Sequence, residues 1–241
     1  MGFVDSLRRS KSKVVLALDL KGSGLMRRAL KLLDEVYDQV AAVKVNRHLS
    51  IPLSLDDLAK LVSAIHERGL PAIMDCKVND VASTSRLMAE LFFNVGFDAI
   101  TACPFTGWSG GLEDVFSLAH EMDRGVILLT YMSHPGAEGT FEKVFDKILE
   151  TVKLGEFDGA IVPATRPGVV RRARSALGRG YLLLAPGVGA QGARPGDAIA
   201  AGADAEIVGR AIYHPSPDGA GERARRIRDE AMEKANLRTS L

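Results

Sequence analysis

Leu70-Pro71-Ala72-Ile73-Met74-Asp75-Cys76-Lys77-Val78-Asn79-Asp80 decides the reading of this chain. An apolar run passes directly into two carboxylates and one ammonium, as a buried strand does when it ends in charge. Side chains alternate along a strand, so Asp75 and Lys77 share a face. Cys76 then turns to the opposite layer as a small apolar filler. Asp80 follows in the turn, close to both. Such a cluster is costly to hold at a strand's end unless it acts on something. A carboxylate–lysine–carboxylate array keeps an ammonium charged and aims it at a developing carbanion.

Working outward, the same apolar-then-amphipathic alternation repeats along the chain. Strands are expected at 14–20, 41–45, 72–77, 99–103, 126–131, 159–162, 181–185 and 205–209. Helices are expected at 25–36, 55–68, 83–95, 141–154, 169–177 and 223–234, where apolar residues recur three and four apart. Gly69, Gly96, Gly125, Gly155, Gly180 and Gly202 punctuate the joins, where a left-handed residue ends a helix. Units of about thirty residues, repeated eight times, predict one (β/α)₈ barrel domain over 1–241. Strands buried on both faces pair in parallel under helical cover. A doubly wound open sheet is the alternative, with fewer strands for this length. Residues 1–13, carrying Arg8, Arg9, Lys11 and Lys13, read as an N-terminal extension and a solvated tail.

A chain of 241 residues can bury a sizeable core. The formal net charge of +1 argues against a nucleic-acid partner, which needs a basic surplus. No apolar run approaches a membrane span, and no signal-peptide core follows Met1. Met1-Gly2 with Ser6 matches a loose myristoylation pattern that chance also supplies. Cys76 and Cys103 are too few for a disulfide scaffold and suit a reducing cytoplasm. His48, His66, His120 and His214 lack metal-ligand spacing, and His134 reads as a loop-bracing donor beside Ser133.

Barrel sites lie at the C-terminal ends of the strands. Polar residues collect at that end: Asp19, then Lys44-Val45-Asn46, then the Asp75 cluster. The fifth strand leads into Met132-Ser133-His134-Pro135-Gly136-Ala137. The seventh ends in Pro186-Gly187-Val188-Gly189-Ala190-Gln191-Gly192, and the eighth in Val208-Gly209-Arg210. Gly187, Gly189 and Gly192 fit the dinucleotide-binding glycine spacing, but far from the first strand where that fold needs it. After the seventh and eighth strands of a barrel, glycines suit a phosphate cup, and Arg210 can clamp the anion with a planar fork.

In order and content these motifs resemble the orotidine 5′-phosphate decarboxylase family, in its compact archaeal-type branch. The carriers are Asp19 in Leu-Ala-Leu-Asp-Leu, Lys44 in Val-Lys-Val, Asp75-x-Lys77-x-x-Asp80, the Ser133 loop, the Gln191 loop and Gly209-Arg210. The resemblance implies a homodimeric barrel that converts orotidine 5′-monophosphate to uridine 5′-monophosphate without metal or organic cofactor. Lys77 would protonate C6 as carbon dioxide leaves, with Asp75 beside the departing carboxylate. Asp80 of the partner subunit would complete the charged network, with Thr84 beside it reaching the ribose. Asp19 and Lys44 would bind ribose hydroxyls and extend the charge array. Ser133 would bind the pyrimidine edge, Pro186 and Val188 would line the apolar side, and Gln191, Gly209 and Arg210 would hold the phosphate. Cys76, Asn79, Val81, the Thr101-Ala102-Cys103-Pro104-Phe105 segment and Glu206 depart from the usual pattern without removing a charge.

Two rival readings remain at this point. A Mg²⁺-dependent sugar-phosphate decarboxylase of the same suprafamily would use carboxylates at the second and third strand ends, where Lys44 is a poor ligand. A non-catalytic nucleotide-phosphate-binding barrel would have no use for the Asp75–Lys77–Asp80 set.

Overall fold

Eight short strands, each buried on both faces, leave no face for water, so they close on one another beneath a ring of helices. The computed structural model describes residues 2–239. The strands are β1 Val14–Leu18, β2 Ala42–Asn46, β3 Ala72–Val78, β4 Ala99–Ala102, β5 Gly125–Leu129, β6 Gly159–Ile161, β7 Leu182–Pro186 and β8 Ala205–Val208. They pair in parallel in sequence order, and β8 returns to β1 through Val15↔Ile207. The helices are α1 Phe3–Arg9, α2 Leu25–Val36, α3 Arg47–Ser50, α4 Leu55–Glu67, α5 Ala82–Val95 and α6 Glu113–Glu121. They continue with α7 Ala137–Leu154, α8 Pro167–Leu177, α9 Asp197–Ala201, α10 Arg210–Tyr213 and α11 Ala220–Thr239. No described helix is long and apolar enough to cross a membrane.

The expected barrel is therefore present, with its eight strands where the apolar runs fall. The differences have local causes. Helix α8 begins at Pro167, whose fixed φ suits a first helical turn, rather than at 169. Helix α6 was hidden behind the glycine-rich run 107–111, where the chain makes a π-type turn interrupted by non-helical Ser109 and Gly110. Of the six glycines expected to be left-handed, Gly69, Gly96 and Gly202 are, with φ of 73°, 113° and 120°. Gly125 instead opens β5. Gly155 is required by space: a Cβ there would lie 2.2 Å from the Trp108 ring. Trp108 packs on Phe116 and Phe157 and so anchors its loop.

Two cores result. The outer one lies between strands and helices and takes in Cys76. The inner one fills the barrel with Val15, Ala42, Ile73, Ile127, Leu182 and Leu184, among others. The start of the chain is not a solvated tail. Helix α1 inserts Phe3 and Leu7 into this inner core, each worth roughly 1.5–3 kcal/mol when fully buried. Arg8 anchors the helix by donating to the carbonyls of Arg179 and Gly180. The apolar plug seals one end of the barrel, so the polar inward-facing residues gather at the other.

Candidate active site

At the C-terminal end of the strands the barrel opens into a cavity of about 390 Å³. Its floor is a chain of alternating charge. Lys44 Nζ lies 2.6 Å from Asp75 Oδ2 and 3.9 Å from Asp19 Oδ1. Lys77 Nζ lies 2.5 Å from Asp75 Oδ1. Lys44 and Asp75 are only 6% and 7% exposed. Burial alone would push the Asp75 carboxyl up, but the two ammoniums and their hydrogen bonds outweigh it and hold the group well below the usual carboxylate range. A buried ion pair is poor evidence of stability, because desolvation offsets most of its attraction. Such a chain, placed where a barrel does its chemistry, has a functional explanation instead.

Strand β3 does not run straight to this point. Ile73 and Met74 pair with Ala99 and Ile100, but the next pairing is Val78 with Ala102. Three residues, Asp75 to Lys77, thus bulge opposite Thr101. Lys77 takes a left-handed φ of 49°, unusual for a residue with a side chain. The alternation expected from sequence survives the bulge: Asp75 and Lys77 line the cavity, while Cys76 is buried in the outer core. Burial pushes the Cys76 thiol up to about 12.

Asp19, Ser133, Pro186, Val188, Gln191, Gly209 and Arg210 all line the same cavity as Lys44, Asp75 and Lys77. Asp19 Oδ1 is buried without a hydrogen-bond partner, 3.9 Å from Lys44 Nζ. Gly209 is fixed by close approach, since a Cβ would meet the Ala17 carbonyl at 3.1 Å. The Gln191 loop is a compact turn closed by Gly189 N–H donating to Ala193 O and Ala193 N–H donating to Gly187 O. His134 sits at the cavity wall, and it is its carbonyl, accepting from Ala137 N–H, that braces the turn, not its ring.

Asp80 and Thr84 are not in this cavity. Both are exposed, and the Asp80 carboxylate accepts from Val81 N–H at the start of α5. Among the described residues no ion pair joins Asp80 to Lys77: the carboxylate expected close to the cluster shares a cleft with Lys77 without pairing with it. A separate cleft, lined by Lys77, Asp80 and Cys103 among others, opens beside Lys77. Burial pushes the Cys103 thiol up, which disfavours a nucleophilic thiolate.

Among the cavity residues that the sequence reading did not name as site residues, two carry polar side chains on the strands. Asn46 ends β2 and also caps α3, its Oδ1 accepting from His48 N–H. Thr101 is 2% exposed on β4 and hydrogen-bonds Asp75. The available signal was a lone hydroxyl in an otherwise apolar strand, next to the charged one. Glu206 gains a structural explanation. It is fully buried on β8 and accepts from Gly196 N–H at 2.8 Å and Ala198 N–H at 3.0 Å, capping α9 from outside that helix.

Buried ammonium and carboxylate groups at the C-terminal mouth of a closed parallel barrel define a (β/α)₈ enzyme. The family model described as orotidine 5′-phosphate decarboxylase / HUMPS matches residues 12–225. The chain belongs to that family. It is 40% identical over 223 residues to an orotidine 5′-phosphate decarboxylase of Thermococcus kodakarensis, covering 92% of this chain and 98% of that one. The orotidine 5′-phosphate decarboxylase structure from Pyrococcus horikoshii superposes with a TM-score of 0.77 at 36% identity, covering 91% of this chain and 99% of that one. The orotidine 5′-monophosphate decarboxylase of Methanocaldococcus jannaschii, complexed with the inhibitor BMP, gives a TM-score of 0.81 at 29% identity, covering 91% and 98%.

Proposed function

We propose that the charge chain in this cavity carries out the family's decarboxylation, with Lys77 as the proton donor. The protein is a carboxy-lyase that converts orotidine 5′-monophosphate to uridine 5′-monophosphate in pyrimidine biosynthesis. The bond from C6 to the carboxylate breaks, carbon dioxide leaves, and the electron pair stays on C6. No ring π-system accepts that pair, so the protein must stabilise it electrostatically. The Lys77 ammonium is placed to do so and then to give C6 its proton. Solvent reprotonates the amine. The observation that carries this reading is Lys77 Nζ and Lys44 Nζ held on opposite oxygens of one buried carboxylate, Asp75.

Arg210, Gln191 and Gly209 bind the phosphate, Asp19 and Lys44 the ribose, and Ser133 the pyrimidine edge, with Pro186 and Val188 on the apolar wall. Lys44 also speaks against the Mg²⁺-dependent alternative: it stands on the second strand, where that reading needs a carboxylate, and its ammonium already pairs with Asp75 on the third. Asp80 and Thr84 act in the site of a second copy. The support is their exposure, the cleft beside Lys77, and apolar side chains left in water at the start of α5 and along it: Val81 just before the helix at 61%, and Leu87 at 57% and Leu91 at 43% exposed. Free Cys76 and Cys103 are consistent with a cytoplasmic setting.

The test is the loss of orotidine 5′-monophosphate absorbance on adding protein, with a Lys77→Ala control. We expect turnover in the wild type, insensitive to EDTA, and a fall of more than about 10³-fold in the variant with its fold retained. Near-normal activity of Lys77→Ala would remove Lys77 from the mechanism.

A further inference from the structure

Thr101 stands at the one point of β4 that faces the whole bulge of β3. Pairing runs from Met74↔Ile100 directly to Val78↔Ala102, so Asp75, Cys76 and Lys77 share a single opposite residue. A bulge leaves backbone groups without ladder partners, and a buried N–H must find another acceptor. Here the Lys77 N–H donates to Thr101 Oγ1 at 3.0 Å. The hydroxyl, having accepted that bond, donates its own proton to Asp75 Oδ1, also at 3.0 Å. Oδ1 is the oxygen that receives Lys77 Nζ. One hydroxyl thus touches both ends of the Asp75–Lys77 pair, backbone at one and carboxylate at the other. The Thr101 carbonyl also accepts from the Cys76 thiol at 3.4 Å, so the strand grips the middle residue of the bulge as well.

We propose that Thr101 is a positioning residue for the decarboxylation, its hydroxyl fixing the bulge that carries Lys77 and orienting the Asp75 carboxylate that holds the ammonium in place. This inference rests on the proposed roles of Lys77 and Asp75. Geometry favours it over a purely structural role. A threonine needed only to fill space would not require donor and acceptor to be spent together on two groups of the reaction centre. Hydrogen bonds in such a relay reinforce one another in a site of low dielectric. Without the hydroxyl, the Lys77 N–H is left unpaired at a left-handed backbone position, and the ammonium loses its fixed aim at C6. Small misplacements of a reacting group reduce rate far more than they reduce ground-state binding.

Thr101→Val keeps the branched shape and removes the hydroxyl, while Thr101→Ser keeps the hydroxyl and removes the methyl. We expect Thr101→Val to lower kcat by about tenfold or more, with KM for orotidine 5′-monophosphate and the dissociation constant for uridine 5′-monophosphate each within about threefold of wild type. Thr101→Ser should restore kcat to within about threefold of wild type. Should Thr101→Val fail to fold, Thr101→Ser against Thr101→Ala isolates the same hydroxyl, and the serine variant should again be faster by about tenfold. Equal kcat in the serine and alanine variants, or a valine variant as fast as wild type, overturns the role of Thr101. Lys77→Ala assayed alongside separates the two claims: if it is inactive while Thr101 variants are normal, only the positioning role fails. If Lys77→Ala is active, the reading of the whole site fails with it.

Discussion

Arg210 lies across the cavity mouth from nothing that neutralises it: among the described residues its side chain forms no ion pair, yet it lines the same cavity as Lys77. An unpaired guanidinium there is available for a dianionic phosphoryl group, which its planar fork grips through two parallel bonds. Binding energy from such a remote group is used partly to orient the reacting ring, so its loss lowers kcat as well as raising KM. Arg210→Ala should therefore reduce kcat/KM by about 10²-fold or more in steady-state assays. A loss confined to kcat, with KM unchanged, would place the phosphate elsewhere. At this scale the sequence was informative where a charge stands in an apolar run. Asp75, Lys77 and Lys44 stood out because burying a charge needs a reason. Thr101 did not, since a threonine in a strand is unremarkable and its role depends on a register shift between two strands. Asp80 shows the same limit: it follows Lys77 closely in the chain, but the turn after β3 leaves its carboxylate exposed, accepting from Val81 N–H just before α5.

The join between β8 and α9 shows what an element asks of one residue. Helix α9 has five residues, preceded by Gly196 with no side chain to cap it, so its first N–H groups must find an acceptor from outside. Glu206 supplies both oxygens from within the neighbouring strand. Burial raises its pKa to about 7, against backbone hydrogen bonds from Gly196, Ala198 and Ile199 that lower it, while nearby Asp197 raises it further. A carboxyl with a folded pKa above its unfolded value favours the folded state at low pH. That contribution is present below about pH 4.5 and is lost as pH rises through about 7. Chemical denaturation at pH 5 and pH 8 should show this group weakening the wild type by on the order of 2–3 kcal/mol over that interval, a slope absent from Glu206→Gln. Parallel pH dependence in both proteins would mean that Glu206 does not titrate in this range. Elements with clean periodicity, such as α2 and every strand, were readable because burial imposes their pattern. The short α9 and α10 were not: each is held by partners from elsewhere in the chain, which no local pattern records.

At the scale of the whole molecule the charge chain of one barrel ends at Lys77, whose ammonium pairs with Asp75 alone among the described residues. Asp19, Lys44, Asp75 and Lys77 alternate in sign within one barrel, and the cleft beside Lys77 opens on the surface from which Asp80 and the apolar side of α5 project. A second copy related by a two-fold axis would cover the exposed Val81, Leu87 and Leu91 and bring Asp80 of the partner subunit to each Lys77. Each active site would then draw Lys77 from one protomer and Asp80 from the other. This has a consequence that separate sites cannot imitate. On that arrangement Lys77→Ala and Asp80→Ala homodimers should both be inactive, but a mixed dimer of the two variants would place both changes in one site and leave the other intact. After unfolding and refolding together in equal amounts, half of the dimers are mixed and each holds one native site. Activity should therefore return to about a quarter of that of wild type at the same total concentration, from two preparations that show almost none alone. The recovery should also vanish on dilution below the dimer dissociation constant, read by sedimentation in parallel with the assay. A mixture that stays inactive although mixed dimers are present would mean that Asp80 serves its own protomer or none.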